Sequence, residues 1–247
     1  DDGIAARDLR RADRAVYVTP AHQYPLGGRM PAARRAGLLA WADAHDALVL
    51  EDDYDGEFRY GVPPLAPLRA MPAAAGRVVY LGTSSKVLSQ VLRVSWAVVP
   101  SRLRDGMWRH LNQSGDFVSL VSAALVGSYI STGALARHQA RALRTYSARQ
   151  ARFVAACRAR IPGVAALGIE AGLHVVLTFG TRVDDRALAA RLARAGLACS
   201  PLSEYYADPA GAGRTGLVCG YSRLPETSAD GAARLIAAAA ADLRPAR

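Results

Sequence analysis

The chain has 30 arginines and one lysine, Lys86, in the run Gly82-Thr83-Ser84-Ser85-Lys86. An ammonium can do one thing that a guanidinium cannot. Once desolvated it loses its proton and attacks a carbonyl carbon to form a Schiff base. Residues of the matching types stand around it. Asp52 stands at the end of a buried strand and Tyr54 follows two positions on; Thr83 and Ser85 flank the lysine, and Arg93, seven residues later, opens the next strand. A pyridoxal phosphate site asks for these parts. It needs an amine for the aldehyde and a carboxylate at the pyridine nitrogen, so that the ring stays protonated as an electron sink. It also needs hydroxyl and arginine donors for the phosphate, and a phenol near the ring oxygen.

These residues must be positioned by regular elements. Ala15–Val18 reads as a short apolar strand, followed by the turn-rich Thr19-Pro20-Ala21-His22-Gln23-Tyr24-Pro25-Leu26-Gly27-Gly28. Pro31 opens a helix to about His45. Ala47–Leu50 reads as a buried strand running into an acidic turn, Glu51-Asp52-Asp53-Tyr54-Asp55. Arg77–Leu81 and Val94–Val99 are two more apolar strands, the first ending at the lysine loop. Apolar strands alternating with helices and loops predict an α/β fold with a mostly parallel sheet. Chemistry in such sheets gathers at the carboxyl ends of the strands. The three loops named here all follow strands, so they can meet in one crevice.

From Arg102 to about Arg160 the pattern is helical, with Ala134–Arg160 as one long helix. Arg137, Arg141 and Arg144 form a basic stripe on it, read as a solvated face rather than a nucleic-acid contact. Ile161-Pro162-Gly163 breaks the helix. An α+β region follows: strands at His174–Phe179, Leu197–Ser200 and Gly216–Tyr221, helices at Asp184–Ala195 and Pro225–Leu243.

The net charge of +10 permits contact with nucleic acid. The charges are spread along the chain, however, and no helix-turn-helix or zinc-finger pattern is present, so the excess reads as an arginine bias. No apolar run reaches the roughly 18–20 residues of a membrane span. Cys157, Cys199 and Cys219 lie far apart in apolar stretches and show no zinc spacing, which predicts reduced core thiols and a cytoplasmic protein. The start, Asp1-Asp2-Gly3, has no initiator methionine and no signal-peptide pattern, and reads like the middle of a longer protein.

Three motifs carry a family resemblance. They are Val18-Thr19-Pro20-Ala21-His22-Gln23-Tyr24-Pro25-Leu26-Gly27, then Glu51-Asp52-Asp53-Tyr54-Asp55-Gly56-Glu57-Phe58-Arg59-Tyr60, then Gly82-Thr83-Ser84-Ser85-Lys86 with Arg93. Together they resemble the aminotransferase-like domain of MocR/GabR-type regulators, which belong to the GntR superfamily and carry a fold type I aminotransferase domain. The likeness continues through Pro201-Leu202-Ser203-Glu204-Tyr205-Tyr206 and Gly220-Tyr221-Ser222-Arg223-Leu224 and covers essentially the whole chain.

The resemblance implies a pyridoxal-phosphate-dependent transferase fold of type I. Residues 1–133 would be the remainder of a large cofactor-binding domain, 134–160 a connecting long helix, and 161–247 a small C-terminal α+β domain. Lys86 would hold pyridoxal 5′-phosphate as an internal aldimine, Asp52 would pair with the pyridinium nitrogen, and Tyr54 would hydrogen-bond the ring hydroxyl. Ser85 and Arg93 would bind the phosphate with help from Thr83. Tyr24 occupies the place of the asparagine in the Asn-Pro-x-Gly of ordinary aminotransferases, near the ring hydroxyl. Tyr24 and His22 each read as either part of that site or part of a packed turn. Asp53, Asp55 and Glu57 read as loop and cap residues, and His45, His110 and His138 as surface or packing histidines.

The chain departs from the family in several places. The winged-helix DNA-binding domain and the first part of the aminotransferase domain are missing upstream, which reads as a fragment. Ser84 stands where phenylalanine is usual, Gln90 where proline is common and Ser95 where glycine is frequent. The carboxylate-binding arginine of ordinary aminotransferases would fall near Val218. Three functions compete. One is an effector-sensing domain of a transcription regulator, with a small amino compound or the cofactor as effector, DNA contacted through the upstream domain, and a homodimer as the assembly. The others are a true aminotransferase acting on an amino acid, and a degenerate domain kept for dimerisation. The first is the expectation.

Overall fold

Alternation along the strands decides which side chains reach the core. In β1 (Ala15–Val18) and β2 (Leu48–Asp53), Val16, Val18 and Val49 are buried while Ala15 and Tyr17 are exposed, because successive strand side chains point to opposite faces. The buried set packs on Leu38, Leu39, Trp41 and Ala42 of α1 (Ala32–Ala44), together with Val78 of β3 (Val78–Thr83). Burying each of the two leucines stabilises the fold by about 1.5–3 kcal/mol. The structure is a computed structural model that describes residues 2–63, 65–74, 76–115, 117–209, 211 and 213–243.

β1, β2 and β3 run parallel in sequence order, and β4 (Ser95–Val98) returns antiparallel beside β3. The register is level at one end. Glu51 lies opposite Tyr80, Asp52 opposite Leu81 and Asp53 opposite Gly82. The loops that leave β1, β2 and β3 therefore start from a common edge. After β4 come α2 (Ser101–Ser114), α3 (Leu120–Ser131) and α4 (Ala134–Arg160). α2 buries no residue and α3 buries only Val126.

The chain divides into two compact units. The first comprises Asp1–Tyr24, Gly28–Glu57 and Pro63–Ala140; the second comprises Pro25–Gly27, Phe58–Val62 and Arg141–Arg247. The second holds an antiparallel sheet of order β5-β6-β8-β7, formed by β5 (Ala165–Leu167), β6 (His174–Thr178), β7 (Ser200–Pro201) and β8 (Gly216–Gly220). Val175, Leu177, Leu217 and Cys219 pack there against Phe153 and Cys157 of α4, Leu188 and Leu192 of α5 (Asp185–Arg194), and Ile236 of α6 (Ala229–Ala241). Tyr221 is fully buried, accepts from Gln150 and donates to the Gly172 carbonyl.

Several elements differ from their sequence expectation. β2 continues through Asp53, where a turn was expected from Glu51. Acidic residues are poor strand formers, but here Glu51 receives the backbone N–H groups of Leu68 and Arg69 at 2.6 and 2.9 Å. The strand expected at Leu197–Ser200 is the two-residue β7, displaced to Ser200–Pro201. β5 was not expected at all. The last helix starts at Ala229, behind a 3₁₀ turn over Glu226–Ser228.

Candidate functional site

The acidic run at the end of β2 is sorted by strand geometry. Glu51 faces the α1 side, is 1% exposed, and is held by the Leu68 and Arg69 amides. Its burial raises its pKa against the lowering effect of those bonds. Asp53 accepts from the Tyr80 hydroxyl at 3.0 Å. Asp55 is buried against His22, with Nδ1 3.0 Å from Oδ2. Asp52 turns to the opposite sheet face, half-buried, where the Tyr17 hydroxyl donates to its Oδ2. Asp52 is thus presented where the strand ends, and its acidic neighbours are engaged elsewhere.

The loop after β1 brings two phenols together. Tyr24 is anchored by its backbone N–H to Thr19 Oγ1 at 2.9 Å, and its ring meets that of Tyr54 edge-on, with centroids 5.8 Å apart and planes at 88°. The Tyr54 hydroxyl donates to the His22 carbonyl at 3.2 Å and lies 3.1 Å from His22 Nδ1. Burial and then the charge of Asp55 push the Tyr54 phenol well above its ordinary pKa, so it stays protonated. Arg35, buried in α1, ties the same loop down by donating to the carbonyls of Pro20, Met30 and Ala66.

The lysine loop leaves β3 and is closed by Ser84. The Ser84 amide and hydroxyl both donate to the Val94 carbonyl, at 3.0 and 2.8 Å, and the Ser84 carbonyl accepts from Leu88 and Ser89. The serine that replaces the usual phenylalanine therefore has a structural role, since its bonds seal an 84–94 loop. Lys86 is exposed on this turn and makes no ion pair among the described residues. The next residue, Val87, is buried, and its carbonyl lies 2.9 Å from His138 Nε2.

Hydroxyls gather beside it. Thr83 Oγ1 accepts from the Ser85 amide at 3.1 Å and from Ser95 Oγ at 3.2 Å, and donates to Ser85 Oγ. Ser95, in place of the frequent glycine, adds a third hydroxyl. Arg93 does not open β4. It precedes the strand in a left-handed conformation, φ 52°, and is exposed. That conformation is costly for a non-glycine residue, and such strain clusters at functional sites.

All seven residues expected at the site, Tyr24, Asp52, Tyr54, Thr83, Ser85, Lys86 and Arg93, thus lie on the loops or strand ends at one edge of the first sheet. Sequence reasoning missed four supports: Tyr17 on Asp52, Asp55 on His22, Ser84 on Val94 and His138 on Val87. Only Ser84 had left a signal, its departure from the family pattern.

The donor set fits pyridoxal phosphate. One exposed amine, one half-buried carboxylate, two phenols, a cluster of hydroxyls and a strained arginine answer the aldehyde, ring nitrogen, ring hydroxyl and phosphate in turn.

Comparisons with known proteins agree. The chain is 35% identical over 234 residues to the probable rhizopine catabolism regulatory protein MocR of Rhizobium meliloti, covering 93% of this chain and 47% of that protein. It is 36% identical over 206 residues to the HTH-type pyridoxine biosynthesis transcriptional regulator PdxR of Corynebacterium glutamicum, covering 83% and 44%. It therefore spans about half the length of the curated regulators it matches. Among solved structures, Pyrococcus horikoshii kynurenine aminotransferase, in complex with PMP, superposes with a TM-score of 0.84 at 26% identity over 94% of this chain and 57% of that one. Thermus thermophilus LysN, complexed with N-(5′-phosphopyridoxyl)-L-leucine, does so at 0.81 and 25% over 92% and 58%. Residues 6–223 match the family described as aminotransferase class I and II. The chain belongs to that family and has the α/β fold of the type I enzymes, whose cofactor is pyridoxal 5′-phosphate.

Proposed function

We propose that this chain is the pyridoxal-phosphate-binding, effector-sensing part of a MocR-type transcription regulator. The observation that carries the cofactor is the placement of the only lysine, Lys86, on the loop after β3, with the Asp52 carboxylate on the adjacent strand end. In this reading Lys86 supplies the amine that takes the aldehyde. Asp52 accepts from the ring nitrogen, Tyr54 and Tyr24 serve the ring hydroxyl, and Thr83, Ser85 and Arg93 hold the phosphate. When bound, the cofactor supplies an aldehyde that condenses with amines and a ring that withdraws electrons. The effector is then a small amino compound or the cofactor itself. Its binding shifts the domain between conformations that DNA binding elsewhere in the protein can sense. Contact with DNA through an upstream winged-helix domain, a homodimer, a cytoplasmic location and the division into 1–133, 134–160 and 161–247 belong to the same reading. No single helix among the described residues is long and apolar enough to cross a membrane.

Sensing is favoured over turnover by Val218. At the place where aminotransferases keep a cation for the substrate carboxylate, Val218 is buried against Val176 and Leu202. Arg214 and Arg223 are exposed elsewhere in the sequence neighbourhood. The second reading, an active aminotransferase, is favoured by the Aromatic-amino-acid aminotransferase 1 of Thermococcus litoralis, 30% identical over 78% of the chain. In that case Lys86 also moves the α-proton of the substrate.

One experiment separates them. Full-length protein is loaded with pyridoxal phosphate and reduced with borohydride, and its peptides are mapped by mass. Attachment is expected at Lys86 and lost in Lys86→Ala; attachment persisting in this chain after that substitution would refute the assignment. A parallel sample is incubated with amino acids and assayed for keto acid. Operator affinity that responds to an amino compound without keto acid accumulating supports the sensor, and sustained keto acid production overturns it in favour of the enzyme.

A further inference from the structure

Tyr17 has no part in the reading above. It lies on β1, and the register pairs it with Leu50 and pairs Val18 with Glu51. Tyr17 and Asp52 therefore share the sheet face opposite α1, on adjacent strands. The Tyr17 hydroxyl donates to Asp52 Oδ2. The residue is 59% exposed in this chain, too open to act as a core anchor here. Burial of the hydroxyl, followed by the bond to Asp52 and its charge, makes this phenol harder to deprotonate than an ordinary tyrosine. It therefore remains a donor at any ordinary pH.

A carboxylate at a strand end can rotate about its terminal torsion, which is broad and nearly two-fold. A hydrogen bond from a fixed strand neighbour removes that freedom and occupies one oxygen. Bonds to an ionised acceptor are also stronger than neutral ones. We propose that Tyr17 is a positioning residue for Asp52: it holds one carboxylate oxygen, leaves the other for the cofactor's ring nitrogen, and so strengthens cofactor binding and the protonated state of that nitrogen. This inference rests on the assignment of Asp52 to the ring nitrogen. Tyr17 itself touches no reacting atom. The other ionisable groups around Asp52 are engaged separately: Glu51 faces α1, Asp53 accepts from Tyr80, and Tyr54, which feels the charge of Asp52, is bonded to His22.

The test is a double-mutant cycle in the full-length protein with Tyr17→Phe, Asp52→Asn and the pair. Two quantities are read: the dissociation constant of pyridoxal phosphate, and the ¹⁵N shift of the ring nitrogen in labelled cofactor across a pH series. Tyr17→Phe should weaken binding about three- to tenfold and move deprotonation of the ring nitrogen to lower pH. In the Asp52→Asn background it should do neither, because contacting residues are not additive. An equal effect of Tyr17→Phe in both backgrounds would mean that the ring acts by packing, and would overturn the proposal. So would an unchanged dissociation constant and ¹⁵N profile while Asp52→Asn weakens binding; the assignment of Asp52 would then survive alone. If Asp52→Asn leaves both readouts unchanged, the assignment fails and the proposal for Tyr17 falls with it.

Discussion

Adjacent residues Glu51 and Asp52 carry the same charge and meet opposite fates, because a strand sends successive side chains to opposite faces. Glu51 becomes a buried structural acceptor and Asp52 a presented carboxylate. Close approach between strands constrains Gly82 in a comparable way. A Cβ built there would lie 2.3 Å from Cε2 of the Trp96 indole, closer than Cβ atoms come to other heavy atoms. Gly82→Ala must therefore displace the indole or part β3 from β4. The expected cost is about 1–3 kcal/mol in urea unfolding. Gly82→Ala in a Trp96→Ala background should cost markedly less, and an equal cost in both backgrounds would show that the indole is not the obstacle. At this scale the candidate groups were legible in the sequence, since a lone lysine, a strand-terminal aspartate and a serine–threonine pair identify themselves by type, and their common sheet edge follows from the strands that carry them. Their supports were not. The partnership of His22 with Asp55 spans 33 positions, and that of Val87 with His138 spans 51. No local pattern encodes such distances.

Elements are fixed to one another by a few carboxylates. Asp185, 2% exposed in the first turn of α5, accepts from the Ser203 amide and hydroxyl and from the Gly216 amide at 2.6–3.0 Å, tying α5 to the start of β8. At the end of α4, Arg160 donates twice to Asp230 of α6, at 2.6 and 2.7 Å. That bond to Arg160 lowers the pKa of Asp230 below its ordinary 3.8. The sign follows from linkage. A carboxylate whose folded pKa is depressed contributes stability that is fully present above its ordinary value and fades as pH falls through the lowered one. Arg160→Ala should therefore reduce the loss of Tm between neutral pH and about pH 3 relative to the parent chain. Thermal melts across that range decide it, and an unchanged acid limb would mean that this pair adds nothing measurable. The 27-residue α4 was legible from its period and β1 from its apolar run before a turn-rich segment, and both stand where the pattern placed them. The three-residue β5 and the two-residue β7 were not, because so few residues carry no period and their pairing comes from β6 and β8. The antiparallel direction of β4 likewise comes from its partner β3, not from its own residues.

At the scale of the whole molecule, α2 and α3 present a broad apolar surface. Leu120 and Val121 are 85% and 80% exposed, and Leu125, Ile130, Trp108 and Phe117 are exposed nearby in sequence. Soluble proteins seldom leave so many apolar residues open on consecutive elements unless the surface is an interface. The chain spans about half the length of the regulators it matches, so either the rest of the protein or, in the proposed homodimer, a second copy can cover this stretch, and charging it distinguishes the two. Introducing carboxylates there should be incompatible with burial, since an unpaired charge cannot be desolvated cheaply. Val121→Asp combined with Leu125→Asp should raise the dimer dissociation constant more than about a hundredfold, roughly 3 kcal/mol. Ser128→Asp combined with Ser131→Asp, both exposed polar positions of α3, serves as the companion pair of equal charge. Sedimentation equilibrium of the full-length protein reads the result. A shift to monomer with Val121→Asp and Leu125→Asp, while the secondary structure is retained by circular dichroism, places α3 in the interface. A dimer that keeps its affinity through both substitutions shows that α3 faces something other than its copy.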